Sequence, residues 1–212
     1  MKDYERGYQA VHALVGWYKP RAGDRNEATT RLHLIDSLFF ECLGWHKDDV
    51  LAEESRDRQF ADYTFLAPRR MLIAEAKKEG DYFELPAGVT KLEAAIPTLL
   101  RTYPNVKSAM EQAAEYCQKR GVPFGCVING HQLVAFVATR NDGVAPLEGR
   151  ALVFSSLEQM EQEFLELWNA LSKPALQQAR LLSRLIPGSP QLPQKLSATI
   201  SPCNRSAPLS FE

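Results

Sequence analysis

Long apolar runs are missing from this chain. No stretch approaches the length needed to cross a bilayer. The opening MKDYERGYQA sets no apolar run behind a basic segment, so no secretory signal is expected. Cysteine is sparse. Cys42, Cys117, Cys126 and Cys203 share no close metal-ligand spacing and read as reduced thiols of a cytoplasmic protein. An excess of positive charge is also lacking: 25 Lys and Arg stand against 26 Asp and Glu, a formal net charge of −1. A sequence-independent DNA coat is usually strongly basic, so any positive surface here is local or comes from another domain or subunit. The charge balance still admits a nuclease, because a bound divalent cation offsets an acidic site. No GxxxxGK[ST] sequence is present, which excludes a recognisable P-loop motor. No nucleophile–histidine pairing stands out, which disfavours acyl transfer. His12, His33, His46 and His131 are scattered and read as surface or core residues. No internal repeat is visible.

The chain has 212 residues, 45% of them hydrophobic, enough for one core. The expected division is a domain over 1–185 and a tail or linker over 186–212, where Pro and Ser recur and periodicity fades. YERGYQAVHALVGWY reads as a helix with Tyr8, Val11, Leu14 and Trp17 near one face, ended by Lys19-Pro20-Arg21-Ala22-Gly23. Asp24 and Glu27 have capping-box spacing ahead of a helix over about 25–43. In it Ala28, Leu32, Ile35, Phe39 and Cys42 share a face, and Gly44 is the expected C-cap. His46 to Gln59 is polar and reads as a short helix or an exposed excursion.

QFADYTFLA alternates as a strand, with Phe60, Asp62, Thr64 and Leu66 on one face. MLIAEAKK reads as a second strand, joined to the first through Pro68-Arg69-Arg70 as an antiparallel hairpin and closed by Gly80. Between Asp81 and Tyr103 a helix broken at Pro97 is expected. A cleaner helix runs from about Asn105 to Lys119 with Val106, Met110, Ala113 and Cys117 inward. FGCVI, Asn129-Gly130 and HQLVAFVAT form a hairpin signal. ALVF reads as one more strand. SSLEQMEQEFLELWNAL reads as a capped helix with Leu157, Met160, Phe164, Leu167 and Leu171 inward.

Chemistry concentrates on the two central strands. Glu75 and Lys77 are two apart and project from one face. Asp62 sits mid-strand among apolar residues, where an acid needs water or a ligand. Two carboxylates in a partly buried cleft repel each other, and a divalent oxygen-seeking cation relieves that. Mg²⁺ suits one or two carboxylates together with waters and phosphate oxygen, which fits phosphodiester hydrolysis. A neighbouring lysine then holds water or stabilises charge growing on the phosphate. On spacing alone, a cross-strand salt bridge on a solvated face explains the same residues.

The order of motifs resembles the PD-(D/E)xK nuclease superfamily. More narrowly, it resembles the N-terminal nuclease domain of type I restriction enzyme R subunits. The likeness rests on Glu27 in an early helix, Asp62-Tyr63 on one strand and Glu75-Ala76-Lys77 on the next. Gln112 and Tyr116 follow in QAAEY, and Asn129-Gly130 in PFGCVINGHQLVAF. It covers roughly Asn26 to Thr139. One departure is the lead Arg56-Asp57-Arg58-Gln59-Phe60, where relatives often carry glycine or a small loop residue; Asp57 there complicates the ligand assignment.

That resemblance implies an α/β fold with a restriction-endonuclease-like core, a central mixed β-sheet flanked by helices. It implies Mg²⁺, with Mn²⁺ able to substitute, bound by Asp62 and Glu75 with the Ala76 carbonyl and completed by Glu27. Lys77 then positions or activates water, while Gln112 and Tyr116 line the cleft. Arg69, Arg70 and Lys78 are expected to contact DNA phosphates or to be solvated turn charges. Glu27 is also accounted for by the capping box and a pair with Arg31, Gln112 and Tyr116 by helix surface and rim, while Asn129-Gly130 needs no role beyond a tight turn. The implied function is a double-stranded DNA endonuclease module of a restriction or other anti-phage defence system. Its target choice and translocation would belong to a motor, sensor or specificity domain or subunit, and self-association into a homo-oligomer is a further possibility. The alternative is a catalytically silent module of this fold that holds nucleic acid or protein.

Overall fold

The alternating ADYTF segment and the apolar MLIAEA run build two adjacent strands in one half of a β-sheet. The computed structural model describes residues 2–23, 25–56, 59–79, 83, 92–186 and 188. The two segments become β2 (Gln59–Leu66) and β3 (Arg70–Ala76), paired antiparallel with a bulge between Phe65 and Leu66. The hairpin expected there is present. Outside β2 lies β1 (Val50–Arg56), also antiparallel. It occupies the polar stretch read as a helix or excursion, of which only a 3-10 turn at Lys47–Asp49 is helical. The strand escapes a search for alternating apolar residues because it is an edge strand, with Leu51, Ala52 and Glu53 exposed.

On the other side β3 pairs in parallel with β5 (Phe124–Ile128). β6 (Leu133–Val137) and β7 (Arg150–Phe154) continue antiparallel, and β4 (Glu93–Ala95) closes the far edge against β7. The order is β1-β2-β3-β5-β6-β7-β4. The link from β5 to β6 is the four residues Asn129 to Gln132. Gly130 takes φ +94, and the Asn129 side chain accepts the Gln132 N–H at 2.8 Å. The loop expected at Asn129-Gly130 is thus built around the asparagine side chain.

Helices cover both faces. One face carries α1 (Lys2–Tyr18) and α2 (Glu27–Thr30), which continues as π-helix over Arg31–Ile35 and Ser37–Cys42. It also carries α5 (Leu157–Gln162), α6 (Phe164–Leu171), α7 (Lys173–Gln177) and α8 (Arg180–Leu185). The other carries α3 (Ile96–Thr102) and α4 (Pro104–Arg120). This is an α/β fold with a mixed sheet between helices. Among the described residues no helix is long and apolar enough to cross a membrane, and Cys42, Cys117 and Cys126 are buried thiols.

Several local expectations shift. The Asn26 side chain caps α2 by accepting the Thr29 N–H at 2.9 Å, while Asp24 lies outside the described residues. The wider π turns, closed by bonds such as Leu43 N–H to the Leu38 carbonyl, rotate the inward stripe to Leu34, Ile35, Leu38, Phe39 and Cys42. Leu32, expected inward, is 63% exposed, and Ala28 is exposed too. Tyr8 faces out, whereas Val11 and Leu14 are buried. Pro97 starts α3 instead of breaking a helix, because its missing N–H costs nothing in a first turn. The C-terminal amphipathic helix is interrupted at Glu163, with all five expected core residues buried. Gly44 does end the second helix, at φ +69. Gly80, Cys203, Asp57 and the tail from 189 onward lie outside the described residues.

Candidate functional site

The last register pair of the β2–β3 hairpin is Tyr63 with Ala74. One step further along the ladder, Asp62 and Glu75 are cross-strand neighbours on one face, at the end of the hairpin away from its turn. Asp62 Oδ2 accepts the main-chain N–H of Ala76 at 2.8 Å, so its carboxylate is fastened to the strand that carries Glu75. β3 then leaves the sheet, and the Lys77 N–H goes to the Ile128 carbonyl at the end of β5.

Glu75 is only 3% exposed, sunk into the layer between the sheet and α4. Its Oε1 accepts from Lys77 Nζ at 2.8 Å. Its Oε2 is buried and has no hydrogen-bond partner among the described residues. Burial pushes the Glu75 carboxyl up to about 7; the Lys77 hydrogen bond opposes this, and the charges of Asp62 and Glu27 add to it. The crossover from β3 to β5 lays α4 over this spot. Lys77 Nζ also donates to Gln112 Oε1 at 3.3 Å, and Gln112 Nε2 donates to the Tyr116 hydroxyl at 3.0 Å. Gln112 and Tyr116 are one helical turn apart, so a single face of α4 presents both. Tyr116 is held in turn by Arg120, whose guanidinium lies 5.1 Å from the ring centroid and donates to the Glu54 carbonyl at 2.8 Å.

Asp62, Glu75, Lys77, Gln112 and Tyr116 are therefore brought together. Glu27 is the exposed first residue of α2, near enough for its charge to reach Glu75. Arg69 and Arg70 are not brought in. Arg70 starts β3, five residues from Glu75, or about 16 Å along a strand. Its guanidinium pairs with Glu54, and Arg69 is exposed in the turn. A hairpin separates its turn from its open end, so these two arginines and the carboxylates occupy opposite ends. Lys78 is exposed directly beyond Lys77.

The contact missed from the sequence is Arg31. Its ion-pair partners are Glu53, at 3.2 Å, and Asp62, at 3.7 Å, and not the Glu27 expected from helical spacing. The Arg31 N–H still bonds the Glu27 carbonyl, so the helical spacing holds, and the guanidinium instead turns over the Tyr63 ring toward Glu53 and Asp62. The guanidinium lies 5.0 Å from the Tyr63 ring centroid and borders a cavity of about 470 Å³ lined by Leu32, Phe40, Lys47, Ala52 and Tyr63.

Among the described residues no group of three or more Asp, Glu, His or Cys side chains converges as a metal cage. Asp62 and Glu75 form a pair. A pair suits Mg²⁺, which keeps several waters and takes substrate phosphate oxygen, better than a cation that needs an all-protein cage. The unsatisfied Glu75 Oε2 is the kind of group a cation would satisfy. The donor set is hard oxygen throughout, which also suits Mn²⁺. No family model, no curated protein and no solved structure matches the chain.

Proposed function

We propose that this chain is a metal-dependent endonuclease module with a restriction-endonuclease-like core, hydrolysing phosphodiester bonds of double-stranded DNA. The observation that carries the proposal is Glu75. A carboxylate buried in a sheet, with one oxygen on a lysine and the other unsatisfied, is costly unless a ligand completes it. A surface salt bridge does not account for it, because Glu75 is not on the surface.

In this reading Asp62 and Glu75 hold the cation, with Glu27 adding negative charge at the rim. When bound, Mg²⁺ would polarise the scissile phosphate and favour ionisation of water. The residues of the chain supply the rest. The Ala76 N–H fixes the Asp62 carboxylate. Lys77 is a point charge held between Glu75 and Gln112, able to orient a water or donate to a phosphate oxygen as charge develops there. Gln112 sets the direction of Lys77, and Tyr116 sets that of Gln112. Lys78 extends positive charge outward for the DNA backbone. With a formal charge of −1, the module relies on a motor, sensor or specificity domain or subunit to choose and deliver its target. A restriction or anti-phage role rests on the motif order alone.

The test is plasmid nicking. Supercoiled DNA is incubated with the protein and Mg²⁺ or Mn²⁺, beside Glu75→Ala and Lys77→Ala. Cutting is expected from the parent and from neither variant. Equal cutting by all three, or none by the parent with either ion, overturns the catalytic role. The second outcome favours a silent module of the same fold, since Arg31 already gives Asp62 a counter-charge.

A further inference from the structure

Each carboxylate of the pair already has a cationic partner from the chain itself. Glu75 has Lys77, and Asp62 has Arg31. The first partner has a place in the chemistry above; the second does not.

Arg31 is built into its position. Its side chain is 19% exposed, stacked over Tyr63, and its Nε lies 3.4 Å from the Tyr63 hydroxyl. That hydroxyl donates to Asp36 Oδ1 at 2.7 Å, so the ring supporting the guanidinium is itself anchored. Nη1 then has two acids in reach, Glu53 Oε1 at 3.2 Å and Asp62 Oδ1 at 3.7 Å. On Asp62, Oδ2 belongs to the Ala76 N–H. Oδ1 is thus the oxygen left for a cation, and Arg31 stands at it.

Glu53 has an unusual backbone for the role. The β1–β2 pairing runs Ala52 with Tyr63 and then Glu54 with Ala61, leaving Glu53 and Asp62 between them. Glu53 has φ +52, in the left-handed region that a glutamate rarely adopts. The kink stands opposite Asp62 on an edge strand and offers the guanidinium a second, 67% exposed carboxylate.

We propose that Arg31 is a resident counter-ion that holds the place of the metal on Asp62 and moves wholly onto Glu53 when a divalent cation binds. Arg31 and Glu53 are positioning residues in this scheme, since neither touches the metal or the DNA. The proposal rests on the nuclease reading of Asp62 and Glu75. An arginine that merely braced Asp62 would help metal binding. A place-holder opposes it, and Glu53 assists by drawing the place-holder away.

Mn²⁺ titration of the purified full chain, followed by electron paramagnetic resonance of free Mn²⁺, separates the two. Arg31→Met is expected to tighten Mn²⁺ about tenfold, a shift typical of coupled sites. Glu53→Gln, which keeps the shape of this exposed side chain, is expected to weaken it severalfold. The double variant should bind like Arg31→Met alone, because Glu53 acts only through Arg31. Mn²⁺ binding by Arg31→Met that is weaker than or equal to the parent's overturns the proposal, as does a Glu53→Gln variant that binds like the parent. Asp62→Asn and Glu75→Gln serve as references. If both bind Mn²⁺ like the parent, the metal site itself is wrong and the inference falls with it. If both lose binding while Arg31→Met does not tighten it, only the place-holder is wrong.

Discussion

Glu75→Gln should change how stability depends on pH, and the sign follows from burial. The Glu75 carboxyl moves from an ordinary 4.5 up to about 7 in the folded protein, chiefly because burial penalises its charge. The folded state therefore holds this proton more tightly than the unfolded chain does. Below pH 4.5 both states are protonated and the penalty on the charge is absent. As pH climbs from about 4.5 through about 7, the unfolded chain ionises first and stability falls; above that range both states are ionised and the loss is constant. At 1.36 kcal/mol per tenfold change in proton affinity, the loss is roughly 3 kcal/mol, an upper figure because Lys77 and water relax around the ion. Glutamine keeps the shape and removes the titration. Urea unfolding in EDTA, followed by far-ultraviolet circular dichroism between pH 4.5 and 8, gives each protein its own curve. The parent should lose about 3 kcal/mol more than Glu75→Gln across that interval, while contributions from the other carboxylates cancel in the difference. Added Mg²⁺ at pH 8 should then restore stability to the parent but not to the variant. Parallel curves for the two proteins would refute both the burial cost assigned to Glu75 and the argument that it needs a cation.

Two further outcomes concern stability. Glu53→Gly should raise Tm, because glycine takes φ +52 without strain and an exposed ion pair contributes little; about 1 kcal/mol of relief is expected, and a lower Tm would show that the backbone there is unstrained. Gly125→Ala should lower stability by about 1–3 kcal/mol, since a Cβ there would lie 2.5 Å from the Phe136 ring; thermal unfolding unchanged from the parent would show that the ring has room to move.

Much of the centre of the molecule is legible in the sequence, because its signals are local. The alternation in ADYTF, the short joint after it, the stripe of α4 and the Asn129-Gly130 pair each report their own element. The hairpin of β2 and β3 brings Asp62 close to Glu75, but setting the two opposite each other also takes the bulge between Phe65 and Leu66, without which the Leu66–Arg70 register would set Asp62 against Ala74. The same hairpin places Arg69 and Arg70 at its far end, by the turn. What stays hidden depends on tertiary context. β1 hides in a polar stretch because an edge strand need not bury alternate residues. The π turns that expose Leu32 leave no mark in residue spacing, since RLHLIDSLFFEC also satisfies an ordinary helix. That Glu75 lies beneath α4, and is not on a solvated face, follows from packing alone.

The strand order has a consequence for the order of assembly. Three strands, β1 to β3, are complete by Ala76, and they already contain Asp62 and Glu75. The chain next contributes β4, whose partner β7 begins some 55 residues later, at Arg150. During synthesis β4 must wait unpaired while α4, β5 and β6 are made, and only the arrival of β7 lets it clasp the far edge. The parallel seam between β3 and β5, and the α4 roof above it, join the early half to the late one. The perturbed carboxylate is accordingly a property of the finished sheet. The buried oxygen of Glu75 and the Lys77–Gln112 contact both depend on elements of the second half closing over the first.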